Sequence, residues 1–344
     1  MRTTLKAGIT IGISIGILVA CIGIGSVSIP IPDMLTIIKA KISMTTIPKN
    51  ISPSMVSILW DIRMPRALTA FIVGALLSVS GVIMQSLLQN PLASSYTLGV
   101  SSGAALGVAL VVVCDIVIPV VGMFLLPAAG FVFGLGTVLL VIAFAKRLDA
   151  SLKNQTIILL GMVFSLFVNA VLTLVSAMNA KHLQRLSLWQ MGSFAGRRWM
   201  HVGILLGVAI PGIVAVLWFH RELDLMSFGE EQSQAVGVDT RKTKLRLLMW
   251  ASLLTGAAVC FTGIIGFVDL TMPHVTRKVF GARHGLVIPM SALLGGSFLA
   301  LADLLSRTLL APREIPVGAV TALVGAPFFL YLYFLGRKGK PSCR

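Results

Sequence analysis

Charge is what this sequence has least of. Asp, Glu, Lys and Arg make up 12% of its 344 residues, against about 25% in a soluble globular protein. Too few ionisable groups remain to cover a water-exposed surface, so a soluble domain is excluded. Disorder is excluded as well, because 56% of the residues are hydrophobic and disordered chains are poor in apolar residues. Cysteine is also scarce, with four in the chain. Cys21, Cys114 and Cys260 lie in apolar stretches and Cys343 in a basic tail. No pair has CxxC or metal-ligand spacing, so all four read as small packing residues. A G-x-x-x-x-G-K-[ST] phosphate loop is missing, and Gly339-Lys340-Pro341-Ser342 is only a superficial echo of one. No paired carboxylates, Ser/His/Asp set or metal cluster points to catalysis or a bound cofactor. His274 follows Pro273 without a Cys, Glu or His at ligand spacing and reads as structural.

What is there instead is a series of long charge-free windows: 7–32, 67–114, 116–145, 154–180, 199–220, 247–268 and 315–336. About 20 apolar residues cross a bilayer as a helix. The window 67–114 therefore holds two spans, broken at Gln89-Asn90-Pro91, where proline ends or kinks a helix. The stretch 269–305 carries Arg277, Lys278 and Arg283 near its middle and reads as two segments, the first unusually short. The expectation is an all-α integral membrane protein forming a single domain over 1–344. Its ten spans lie near 7–29, 66–88, 95–114, 120–145, 155–178, 201–219, 247–266, 269–281, 286–305 and 315–336. Leu18-Val19-Ala20-Cys21 has the form of a lipoprotein cleavage box, but an ordinary first span containing a cysteine is the preferred reading.

An even number of spans puts both termini on one side. With that side called inside, the inner segments hold 17 of the 28 Lys and Arg residues and the outer segments 11. The bias places both termini in the cytoplasm. The net charge of +16 is then a matter of topology and no sign of nucleic acid. The outer basic residues call for a separate explanation.

The chain also repeats itself. Gly74-Ala75, Gly81, Ile83, Pro91, Gly99 and Gly103 recur 182 positions later as Gly256-Ala257, Gly263, Ile265, Pro273, Gly281 and Gly285. The copies, approximately 62–190 and 245–336, start five crossings apart and so run in opposite directions through the bilayer. Inverted repeats are a transporter signature.

Several segments carry a specific resemblance. Arg63-Met64-Pro65-Arg66-Ala67-Leu68 leads into Val73-Gly74-Ala75-Leu76, Ser80-Gly81, Gln85 and Asn90-Pro91-Leu92-Ala93, then Leu98-Gly99-Val100. Later come Gly266-Phe267-Val268-Asp269-Leu270 with Pro273-His274 and Arg277, then Glu314-Ile315-Pro316-Val317-Gly318 and Gly325-Ala326-Pro327. From about residue 7 to 336, this order and spacing is similar to the FecCD family, the permease subunits of ABC importers for iron–siderophore complexes, haem and cobalamin. The resemblance implies a type II importer fold in the bacterial cytoplasmic membrane. It also implies a second permease copy or paralogue, a cytoplasmic ATPase dimer and an extracytoplasmic solute-binding protein. ATP would be hydrolysed by the partner. One departure stands out: the family usually has Gly where this chain has Asp269. A carboxylate at the start of a short span is costly unless it reaches water or a cation.

Three regions then become candidate sites. The inner segment 220–246 is expected to form a short helix, capped by Ser227 or Gly229, running from Glu230 to Val236 through Glu231 and Ala235, and stopped by Gly237. In the family this loop forms coupling helices that sit in a groove of the ATPase; read alone, it is a solvated connector with positive-inside charge. At the outer face, Arg63, Arg66 and Arg307 match positions where the family docks acidic residues of the binding protein, for which a planar guanidinium is suited. Interfacial anchoring, or an i,i+4 pair of Arg307 with Asp303, is the alternative. In the fifth span, Ser165, Asn169, Thr173 and Ser176 fall on one helical face. That face suits a hydrated, chargeless translocation path or hydrogen bonding between helices. The outer segment 180–199, with Trp189 and Trp199, looks amphipathic and suits the aromatic belt.

Overall fold

A computed structural model describes residues 2–25, 27–48, 51–118, 122–149 and 152–337, with side chains apart from those of Arg2, Ala180 and 332–337. Cys343, Lys338, Lys340, Arg344 and the Gly339–Ser342 echo lie outside these residues, as do the first two positions of the span expected at 120–145. Among the described residues the regular structure is helical. The α-helices are α1 (Arg2–Gly23), α2 (Ile31–Ile42), α3 (Pro53–Ser57), α4 (Met64–Leu87), α5 (Val100–Val113), α6 (Leu125–Leu148), α7 (Asn154–Met178) and α8 (Leu183–Gln190). They continue as α9 (Trp199–Trp218), α10 (His220–Met226), α11 (Glu230–Ala235), α12 (Thr240–Thr262), α13 (Val268–Phe280), α14 (His284–Thr308) and α15 (Val317–Arg337).

Seven helical stretches, ending in or made of α1, α4, α6, α7, α9, α12 and α14, are long and apolar enough to cross a membrane. The shorter apolar helices α5 and α15, with the still shorter α13, occupy the remaining three expected positions in order. The ten expected spans therefore each coincide with a helix.

α4 is the axis of the bundle. In its most apolar stretch 89% of residues are buried, against 17% in α1 and 22% in α7. It packs chiefly against α14, and also against α12, α13 and α9. The α4–α14 contact depends on glycine at both sides: a Cβ on Gly74 would strike the Gly295 carbonyl, and one on Gly295 would strike Ser78. Such small residues let helix backbones approach closely, which drives helix association where the surroundings are as apolar as the side chains. At the other end of α4, Gly81 lies directly against the Asp269 carbonyl, seating the short helix α13.

Helix ends differ from expectation for identifiable reasons. The second span was expected to begin near 66, but helix runs unbroken from Pro53 through a π-helical turn, Ile58–Arg63, into α4. Ser52 caps this stretch by accepting from the Met55 N–H. The Asp61 and Arg63 charges, which suggest a loop, are held locally: Ser57 donates to Asp61 at 3.1 Å and Arg63 bonds backbone carbonyls. The third span starts late because Gly99, at φ +86°, breaks it after a 3-10 turn over Ser95–Leu98. The seventh starts early, since Asp239 caps α12 by accepting from the Lys242 N–H at 3.0 Å. Lys242, which also pairs with it through Nζ, holds the Asp239 carboxyl below its ordinary value. α2 was not anticipated; it buries Met34, Ile37 and Ala40 while Ile31, Leu35 and Ile42 stay exposed.

Candidate functional site

The three arginines at one end of the bundle converge on one cavity of about 300 Å³, lined also by Gly25, Val27 and Glu314. Each is engaged within the chain. Arg63 is buried and donates to the carbonyls of Gly23 at 2.7 Å and Val27 at 2.5 Å, which ties α4 to the end of α1. Arg66 forms two carboxylate pairs, with Asp303 of α14 at 2.8 Å and with Glu314 at 2.7 Å. Asp303 is 2% exposed at its side chain and Glu314 43%, so one pair is enclosed and the other faces the cavity. Arg307 donates to the Cys21 carbonyl and lies 3.8 Å from Asp303, so the i,i+4 pair exists alongside a contact with α1.

The polar stripe of α7 lies on the rim between its packed and exposed faces. Ile157, Gly161, Val168 and Leu172 are buried; Asn169 and Thr173 are exposed and Ser165 and Ser176 half-buried. The hydroxyls of Ser165 and Thr173 donate to the carbonyls one turn earlier, at 2.7 and 2.8 Å. Those bonds satisfy these two hydroxyls within the helix, and the Asn169 residue is exposed.

At the opposite end, 220–246 folds as α10, α11 and the first turns of α12. Gly229, at φ +124°, stands at the N-cap of α11. Ser227 instead closes α10, its hydroxyl donating to the Asp224 carbonyl at 2.6 Å. α11 ends one residue sooner than expected, at Ala235. Gly237, at φ +90°, then completes a Schellman motif: its N–H bonds the Gln234 carbonyl at 2.9 Å and the Val238 N–H bonds Ser233 at 3.0 Å. Leu225, Phe228 and Val236 are exposed on this polar segment, as are Glu231 and Ala235. Glu230 turns inward to the buried Lys244 at 2.6 Å. Lys244 Nζ also donates to the Leu152 carbonyl and Asn154 Oδ1, both at 2.8 Å, which pins α11 to α12 and the start of α7.

Comparison with known proteins places this arrangement. The FecCD transport family matches residues 13–334. The chain is 38% identical to an ABC transporter permease protein of Bacillus subtilis, YvrB, over 99% of this chain and 97% of that one. It is likewise 38% identical to the hemin transport system permease protein HmuU of Yersinia pestis, over 81% and 83% of the two chains. A solved metal-chelate type ABC transporter, in an inward-facing conformation, superposes with a TM-score of 0.82 at 29% identity, covering 96% of this chain and 99% of that one. The chain belongs to the FecCD transport family.

Within this FecCD permease, Asp269 is enclosed in the first turn of α13. It is 2% exposed and accepts from the Ser94 hydroxyl, a neutral donor, through Oδ2. His274 stacks obliquely on Phe329, ring centroids 6.1 Å apart. Trp199 packs on Trp60 at 4.8 Å and donates to its carbonyl. Sequence reading missed the partners: Asp303 and Glu314 for Arg66, Glu230 for Lys244, and Asp224 for His284, whose ring Nδ1 lies 2.6 Å from the carboxylate. Only the acidic residues near helix ends hinted at them, since a charge in a chain this poor in charge needs a partner.

Proposed function

We propose that this chain is the permease of an ATP-driven importer carrying an iron–siderophore complex, or a similarly bulky metal chelate, into the bacterial cytoplasm. Haem or cobalamin is the alternative cargo. One observation carries the reading: the FecCD match spans 13–334 and includes two short helices, α10 and α11, with Leu225, Phe228 and Val236 exposed between polar residues. Exposed apolar side chains set among polar groups around two short helices suit a protein contact. The ATPase dimer would engage it around Ser227, Gly229, Glu230, Glu231, Ala235 and Gly237.

A second copy or a paralogue completes the path, lined by Ser165, Asn169, Thr173 and Ser176. This face has no charge and offers a large solute weak contacts, so selectivity sits in the binding protein. That protein docks over the cavity of Arg63, Arg66 and Arg307, where an incoming carboxylate takes the place of the half-exposed Glu314 on Arg66. The two halves, approximately 62–190 and 245–336, are inverted repeats. Gly99 and Gly281, 182 positions apart, both have φ +86° shortly before a helix, α5 and α14, though their ψ differ, at 11° and −172°. ATP-driven closure of the ATPase pair would pull on 220–246 and tilt the lining helices, giving alternating access.

Proteoliposomes holding the permease, its ATPase and its binding protein test the reading. Uptake of a radiolabelled ferric hydroxamate should require internal ATP and survive a protonophore. Uptake that follows the proton gradient without the ATPase would sink it.

A further inference from the structure

The 220–246 segment is joined to the bundle interior by an unbroken line of polar side chains. Asp224, on α10, reaches across to the first turn of α14. Its Oδ1 accepts from the His284 backbone N–H at 2.8 Å and from His284 Nδ1 at 2.6 Å. A carboxylate there satisfies an orphan N–H and meets the positive end of the helix dipole. α14 has no side-chain cap from Arg283, the residue before it, so its cap comes from a different helix.

The line continues inward. His284 is 2% exposed. With Nδ1 donating to Asp224, Nε2 is the acceptor, and it lies 2.6 Å from Ser86 Oγ on α4. Ser86 Oγ accepts in turn from Arg277 Nη2 on α13 at 3.0 Å. Arg277 Nη1 donates to Gln85 Oε1, and Gln85 Nε2 donates to the Asp269 and Leu270 carbonyls, at 3.3 and 3.1 Å, in the first turn of α13. From Arg277 to Asp224 every donor points the same way, so each bond polarises the next. The line has a cation at its inner end, a carboxylate at its outer end and neutral groups between. Gln89, just past α4, donates to the Met226 carbonyl at 2.9 Å and tethers the far end of α10 to the same helix.

We propose that Asp224, His284, Ser86 and Arg277 are the coupling residues that transmit displacement of α10 to α13 and α14. This rests on the reading of 220–246 as the ATPase contact. A pull on α10 cannot lengthen the Asp224–His284 bonds without uncapping α14 and leaving the Nδ1–H of the enclosed His284 without its acceptor. The less costly response is for α14 and α13 to follow α10. α13 responds as a unit because it is short and Gln85 on α4 grips it at both ends, through Arg277 and through its first-turn carbonyls.

The test uses the complete complex in proteoliposomes, with cargo uptake, ATP hydrolysis and ATPase affinity measured in parallel. Asp224→Ala or His284→Phe should lower uptake per ATP about tenfold while hydrolysis and ATPase affinity stay within about twofold. The double variant should be no worse than either single, as expected of residues acting through one network. His284→Gln, which keeps a donor and an acceptor, should recover part of the loss. Ser86→Ala removes only one hydroxyl, so it remains decisive if the larger changes prevent assembly, and it should also uncouple. Unchanged uptake per ATP, additive losses, or loss of ATPase binding would overturn the relay. A native complex lacking ATP-dependent uptake would instead overturn the coupling reading itself.

Discussion

Arg66 is shared between an enclosed carboxylate and a half-exposed one, and the two contacts differ in what they contribute. Asp303 is buried on α14, so removing the guanidinium leaves a charge with only Arg307, 3.8 Å away, to face. Breaking an enclosed pair by deleting one partner costs about 3–5 kcal/mol. Arg66→Met should therefore cost about 3 kcal/mol in SDS-titrated unfolding from mixed micelles, at the low end because Arg307 remains. Adding Asp303→Leu should recover most of it. Glu314→Gln should cost about 1 kcal/mol or less, as for exposed pairs. Equal losses for the Asp303 and Glu314 pairs would refute this ordering. The arginines themselves were legible from their motif, but their partners were not, because Asp303 and Glu314 lie 237 and 248 positions away in sequence. The one contact that spacing did suggest, Arg307 with Asp303, is a turn of helix apart.

At the scale of elements, the ten principal helices could be read from charge-free windows, prolines and the length needed to cross a bilayer. Their ends could not. A window bounded by charge stops where the first ionised residue stands, whereas the helix continues wherever that residue finds a partner: Arg63 on α1 carbonyls, Lys244 on Glu230. α2 was overlooked for a related reason, since Lys39 and Lys41 interrupt an apolar stretch that is amphipathic rather than spanning. Packing between elements gives a sharper test. Gly74→Leu or Gly295→Val puts side-chain atoms where the facing backbone now lies, so α4 and α14 must separate. Each should cost at least the roughly 1–3 kcal/mol typical of overpacking, and together less than their sum, because they disrupt one contact. Gly12→Leu on α1, where nothing lies within 4 Å, should change unfolding little. A loss at Gly12 equal to that at Gly74 would show that glycine serves helix flexibility and not close approach.

For the whole molecule, the polar ends of the bundle differ in kind. One end carries the arginine cavity, in which cations are bound to the protein's own carboxylates and carbonyls. The other carries 220–246, with its exposed apolar side chains and the line of hydrogen bonds running inward. The same +16 net charge is thus divided between the two faces, and its direction across the bilayer decides which partner meets which end. The native cysteines report that direction. Cys114 is exposed at the end of α5, while Cys21 and Cys260 are buried. With both termini cytoplasmic, three crossings bring Cys114 to the outer face. In a Cys343→Ser background, a membrane-impermeant maleimide should label Cys114 in intact spheroplasts, and Cys114→Ser should abolish that signal. Inside-out vesicles should show no labelling until permeabilised. Labelling confined to inside-out vesicles would invert the molecule, placing the arginine cavity on the ATPase side, and would overturn binding-protein docking and ATPase coupling together.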